Sequence, residues 1–116
     1  MKPVRIDDFN YLEGSFVDGK LSYEVQHLIQ AAENLETFDL PLCSVSLRHS
    51  FTNGDLKSFL FHYKRIENAD LSYPIILAAD GYICDGWHRV AKAILLGHTT
   101  IKAKRLIVMP EPEFLN

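Results

Sequence analysis

The chain has 116 residues, 47% of them hydrophobic, 23% charged and 11% aromatic, with a formal net charge of −3 at pH 7. That composition describes one globular domain able to enclose a core without staples, and it excludes collagenous, disordered and coiled-coil chains. No apolar run approaches the roughly 18 residues of a membrane span, no apolar stretch follows the basic residues near Met1, and two cysteines make no disulfide framework, so a reduced cytoplasmic setting is expected.

A short strand is expected at Val4–Ile6. The segment Gly14–Lys20 is expected to be a loop, since it carries Gly14 and Gly19. Leu21, Val25, Leu28, Ile29, Ala32 and Leu35 recur at helical spacing, and Ser22 stands where an N-cap belongs, which predicts a first helix over 22–35. Phe38, Leu40 and Leu42 alternate, and Val45 and Leu47 resume one residue out of phase. The reading is an extended segment with a kink or bulge, held at a sheet edge by Pro41. After a loop at Ser50–Gly54, Leu56, Phe59, Leu60, Tyr63 and Ile66 form a second helical stripe over 54–67. Thr52 and Asp55 stand at its start like a capping box.

Pro74–Ala79 is a short apolar run ending at Asp80-Gly81, a pair that suits a tight hairpin turn because Gly accepts positive φ. Tyr82-Ile83-Cys84 is the returning strand. Trp87, Val90, Ala91, Ile94 and Leu95 then form a third helical stripe, stopped by Gly97, and Thr100–Leu106 gives a last strand. The tail Pro110-Glu111-Pro112-Glu113 is expected to be extended or loose. The fold class is mixed α/β: a small mixed sheet with three main helices.

Charge is unevenly placed. Residues 1–39 hold eight acids against three bases, whereas Gly86–Pro110 holds no acid and five bases: Arg89, Lys92, Lys102, Lys104 and Arg105. The acidic balance argues against a nucleic-acid coat, but the basic stretch suits either a solvated basic surface or a local pocket for one phosphorylated small molecule. The strand–turn–helix around Asp85-Gly86-Trp87-His88-Arg89 sharpens the second option. A helix start leaves backbone N–H groups unpaired at the positive end of the macrodipole, where anions bind. Gly86 permits the sharp turn, Arg89 offers a fork for two phosphate oxygens, His88 titrates near neutrality, and Lys92 lies one turn on. Each also has a structural use. Trp87 belongs to the apolar stripe, Asp85 suits a helix cap, and Arg89 can pair with Asp85 four residues earlier. Arg48-His49 is a candidate second phosphate contact or a solvated loop. Zinc ligation by Cys43, Cys84, His49 and His88 lacks the usual spacing. A magnesium ion would instead be held by Asp85 together with ligand phosphates.

The segments Tyr73–Leu77 through Asp80-Gly81, Asp85-Gly86-Trp87-His88-Arg89-Val90-Ala91, and Gly97-His98-Thr99-Thr100-Ile101 resemble the core of the ParB/sulfiredoxin superfamily, over roughly residues 38–106. Residues 1–37 find no counterpart and form an N-terminal extension of a single domain. The resemblance implies binding of nucleotide phosphates, ATP or CTP with magnesium, at the turn before the last helix. Gly86, His88, Arg89 and Lys92 would be the ligand-binding residues, and Asp85 and His88 the catalytic ones if a phosphate is hydrolysed or transferred. Sulfiredoxin chemistry is disfavoured because Trp87 stands where that branch carries its cysteine. Partition proteins continue into a helix-turn-helix, for which the residues after Leu106 leave no room, so sequence-specific DNA is not an expected partner. The kinases of free serine share a similar turn, matched by Asp85, His88 and Arg89. Their catalytic acid has no clear position here, Glu24 and Glu33 being candidates only as nearby acids. The competing readings are a catalytically silent module that contacts a protein partner, and a ParB-like nuclease.

Overall fold

The computed structural model describes residues 1–10, 13–51 and 54–115. The domain is mixed α/β, with two sheets and three α-helices among these residues. Strands β1 (Ser15–Asp18) and β2 (Leu21–Glu24) lead into α1 (Val25–Ala32). Then follow β3 (Phe38–Pro41), a 3-10 turn at Leu42–Ser44, and α2 (Leu56–Asn68). The chain continues through β4 (Ile75–Leu77), β5 (Ile83–Asp85), α3 (Trp87–Leu95), β6 (Thr100–Arg105) and β7 (Glu113–Phe114).

The main sheet has the order β3-β6-β4-β5. Strand β6 runs parallel to β4 and antiparallel to β3, and β5 returns antiparallel along β4. The run Ile75–Ala78 is apolar throughout because the sheet is covered on both faces. Ile75 and Leu77 enter a core with Ile83, Val90, Ala93 and Ile101, whereas Ile76 and Ala78 enter a second core with Tyr23, Leu28, Ala32 and Leu106. Helix α3 thus closes one face and α1 with the β1–β2 hairpin closes the other. Val90, 1% exposed, illustrates the gain, since burying such a side chain stabilises by about 1.5–3 kcal/mol.

Several expected boundaries move. The first helix begins at Val25, not at 22, because residues 21–24 pair antiparallel with 15–18, a segment read as loop from the sequence. Tyr23 is buried in that hairpin and stacks on Phe16, 6.1 Å between ring centres. Ser22 is therefore a strand residue, and Glu24 stands at the N-cap without a side-chain cap bond. Residues 4–6 carry no strand. The expected bulge after Leu40 is the 3-10 turn, and β3 does lie at the sheet edge. Asp55 caps α2 itself, accepting from the Ser58 N–H at 2.6 Å, and Thr52 lies outside the described residues. The tail forms a short strand against β2.

Other local readings hold. Gly81 turns the β4–β5 hairpin at φ +96°, with its N–H donating to Ala78 O at 2.9 Å. Gly97 ends α3 at φ +80° in a Schellman arrangement, with Gly97 N–H donating to Ile94 O and His98 N–H to Ala93 O. No helix among the described residues is long and apolar enough to cross a membrane.

Candidate functional site

The turn joining β5 to α3 depends on Gly86. Its φ of +113° lies in the left-handed region, and a Cβ added there would meet Ile75 Cγ2 at 2.5 Å and Ile75 Cβ at 2.8 Å. Gly86, not Asp85, occupies the N-cap, and no side chain caps the first turn of α3. Asp85 instead accepts from Arg89 Nη2 at 2.7 Å in a pair whose side chains are about one-fifth exposed, 21% and 17%. The other terminal nitrogen of Arg89 donates to Tyr73 O and Pro74 O at 3.3 and 3.2 Å. Its fork is filled by the protein and fastens the entry of β4 to the start of α3. Asp85 has one oxygen committed to this pair, so a cation held there would compete with a guanidinium.

Lys92 is occupied in the same way. Its ammonium donates to Glu67 O at 2.8 Å and Ala69 O at 2.7 Å, capping the C-terminal end of α2. Lys104 does the same for α1, donating to Ala32 O and Glu33 O at 3.1 Å, and Arg105 holds Ala79 O at the hairpin. Four of the five bases between Gly86 and Pro110 therefore satisfy backbone carbonyls, two of them at helix ends where the macrodipole favours a cation. Of the expected ligand-binding residues, Arg89 and Lys92 are thus hydrogen-bonded to the chain itself in this structure.

A cleft of about 1210 Å³ nevertheless opens at this turn. Asp85, Gly86, Trp87 and His88 line it, Arg89 and Lys92 do not, and its opposite walls come from Gly14–Asp18 and from Leu40 through His49. Phe9 and residues 14–18 thus form one wall. Arg48, His49 and Arg65 bring the basic groups. Arg65, on α2, is not among the residues singled out from the sequence. Its guanidinium lies 3.3 Å from the centre of the Phe9 ring, and among the described residues neither Arg65 nor Arg48 enters an ion pair. Burial, only partly offset by Asp85, lowers the Arg65 pKa to about 10. Arg65 is thus balanced by the Phe9 ring and, without direct contact, by Asp85, and no carboxylate among the described residues pairs with its guanidinium.

His88 points toward α2. Its Nε2 stands 2.8 Å from His62 Nδ1, and Phe51 stacks on its ring at 4.3 Å. Burial first, then the charges of Arg65, His62, His49 and Arg89, push the His88 pKa down to about 3. It is a neutral imidazole in a hydrogen bond with His62, suited to donate or accept a hydrogen bond and not to supply positive charge. His49 lies flat on Trp87, 4.5 Å between ring centres and 5° between planes. Trp87 is half-buried, packing on the α3-side core while lining the cleft.

The remaining candidates fall elsewhere. Glu24 accepts from Gln26 and pairs with His27, and it lines a separate cavity of about 660 Å³ between α1 and the tail. Neither Glu24 nor Glu33 lines the larger cleft. Cys84 is buried, donates to Ile76 O at 3.3 Å, and has its pKa raised to about 12 by burial, which marks a packing residue, while Cys43 is exposed. Among the described residues no group of three His, Cys, Asp or Glu side chains is arranged to hold a metal ion. No protein-family model, curated protein or solved structure matches the chain.

Proposed function

We propose that this domain binds the phosphates of a nucleotide, ATP or CTP, in the cleft at the start of α3, in keeping with the resemblance of its motifs to the ParB/sulfiredoxin superfamily. The observation that carries the reading is Arg65, a half-buried arginine without an ion pair among the described residues, on the same cleft as the uncapped first turn of α3. Backbone N–H groups of that turn and the Arg65 fork would share the phosphate oxygens, with Arg48 as a further cation. Arg89 and Asp85 hold the turn in shape, and His88 offers a neutral hydrogen bond. Positioning and charge stabilisation are most of what phosphate chemistry asks of a protein.

Calorimetric titration of magnesium-ATP and magnesium-CTP tests this. Arg65→Met is expected to weaken the tighter of the two by about ten-fold or more, the size of one lost charge-assisted hydrogen bond. Equal affinity in both proteins, or no binding to wild type, rejects the assignment.

The competing reading, a silent protein-binding module, draws on the exposure of Leu56, Phe59 and Tyr63 along α2. It predicts that neither nucleotide changes the melting temperature, whereas a ligand that binds only the native state raises it by mass action.

A further inference from the structure

Trp87 and His49 form a feature that phosphate binding does not require. An indole needed only for packing would be expected to have its outer face covered by core side chains. Here the inner side packs on the α3-side core, and the outer face is covered by the imidazole of an exposed residue in a segment, 46–51, without regular secondary structure. The imidazole lies parallel to the indole at 4.5 Å, the geometry of a stacked heteroaromatic pair, and burial lowers its pKa, which favours the neutral ring. Trp87 also occupies the first position of α3, directly after Gly86. Helical side chains lean toward their own N-terminus, so this ring and the free N–H groups of the first turn share one opening.

We infer that Trp87 is the stacking platform for the planar base of the ligand, the base taking the place now held by the His49 ring. The inference rests on the proposed nucleotide site and adds to it the residue that receives the base, which separates a nucleotide from an inorganic polyphosphate or a sugar phosphate. Exchange of one neutral flat ring for a larger one leaves the indole covered throughout. Base–aromatic stacking does not depend on a particular hydrogen-bond pattern, so this platform confers preference for a base without dictating which one.

Trp87 is the only tryptophan in the chain, which gives the test a direct signal. Magnesium-ATP and inorganic tripolyphosphate with magnesium are titrated in parallel, with affinity read by calorimetry and ring contact by tryptophan emission. The expected result is that ATP binds about ten-fold or more tightly than tripolyphosphate, in line with one stacked base, and that ATP alone changes the emission. Trp87→Leu should bring the ratio of the two affinities toward one. His49→Ala, which uncovers the indole without touching the core, should keep or strengthen the ATP preference. This second variant decides the matter if Trp87→Leu does not fold. Equal affinity for the two ligands with unchanged emission overturns the stacking role and leaves the phosphate site standing. Failure of both ligands to bind overturns the phosphate site and the stacking role together.

Discussion

Helices α2 and α3 lie side by side and carry similar apolar stripes, yet they are held in different ways. In α3 the stripe is used: Val90 and Ala93 are buried against the sheet, and the helix closes one core. In α2 no residue is buried, and Leu56, Phe59, Leu60 and Tyr63 are 72%, 55%, 39% and 48% exposed. Polar contacts attach α2 instead. Lys92 takes its last carbonyls, His62 meets His88, and Lys64 donates to Ile6 O while pairing with Asp8. The face of α2 turned toward the cleft is therefore its polar one, which delivers Arg65. An amphipathic stripe shows that a helix forms; which face it turns inward depends on the partners that the polar face finds.

The largest effect is expected where α3 meets the sheet. Gly86→Ala forces an L side chain into positive φ, about 1–2 kcal/mol, and drives its Cβ into Ile75, an overpacking worth about 1–3 kcal/mol. Chemical denaturation should show a loss of roughly 3 kcal/mol, a large share of the stability of a small domain. Gly97→Ala isolates the two terms, since Gly97 also has positive φ but nothing lies within 4 Å of an added Cβ. It should lose only the backbone part. Equal losses for the two variants would mean that Ile75 yields and that the β5–α3 turn is less tightly fixed than its geometry states.

The strands, turns and helix around this junction were legible because their signals are local: Asp80-Gly81, Gly86 and Gly97 each require a backbone conformation that neighbouring residues cannot supply. The first hairpin was not legible, because Leu21 and Val25 fit a helical stripe with Leu28 as well as an alternation through Tyr23, and only pairing with 15–18 decides between them. The site was half legible. Gly86 and His88 line the cleft, and the Arg89–Asp85 pair was already offered by the four-residue spacing, but the carbonyls that hold Arg89 and Lys92, at Tyr73, Pro74, Glu67 and Ala69, are distant in sequence. Arg65 looked like an ordinary helix cation, since nothing in its neighbourhood along the chain announces a missing counter-charge.

An intermediate effect tests the histidine seam between the helices. His88 titrates at about 3 in the folded domain and near 6.5 when unfolded, with His62 and His49 shifted in the same direction, chiefly by burial. Between those values the unfolded chain binds more protons, so stability is full above pH 6.5 and falls as pH drops toward 3. From pH 7 to 5, before most carboxylates titrate, the His88 share is on the order of 1 kcal/mol after solvent screening. His88→Gln should flatten the fall in melting temperature over that interval. An unchanged slope would show that His88 takes up protons alike in the folded and unfolded chains, so that its contact with His62 and Phe51 does not disfavour the charged ring.

The smallest effect is expected on the outer face of α2. Phe59→Ser removes an aromatic ring that is 55% exposed and stacks only loosely on Tyr63, 6.3 Å between ring centres. Exposed positions of this kind shift stability by about 0.5 kcal/mol or less. Chemical denaturation should place the variant within that margin of wild type, and size-exclusion chromatography should show the same elution volume for both. Val90→Ala provides the contrast from α3, where removing a buried branch should cost about 1–2 kcal/mol. If the two substitutions prove equally damaging, the α2 stripe is covered in solution after all, and the difference between the helices lies in what covers them, no longer in whether they are covered.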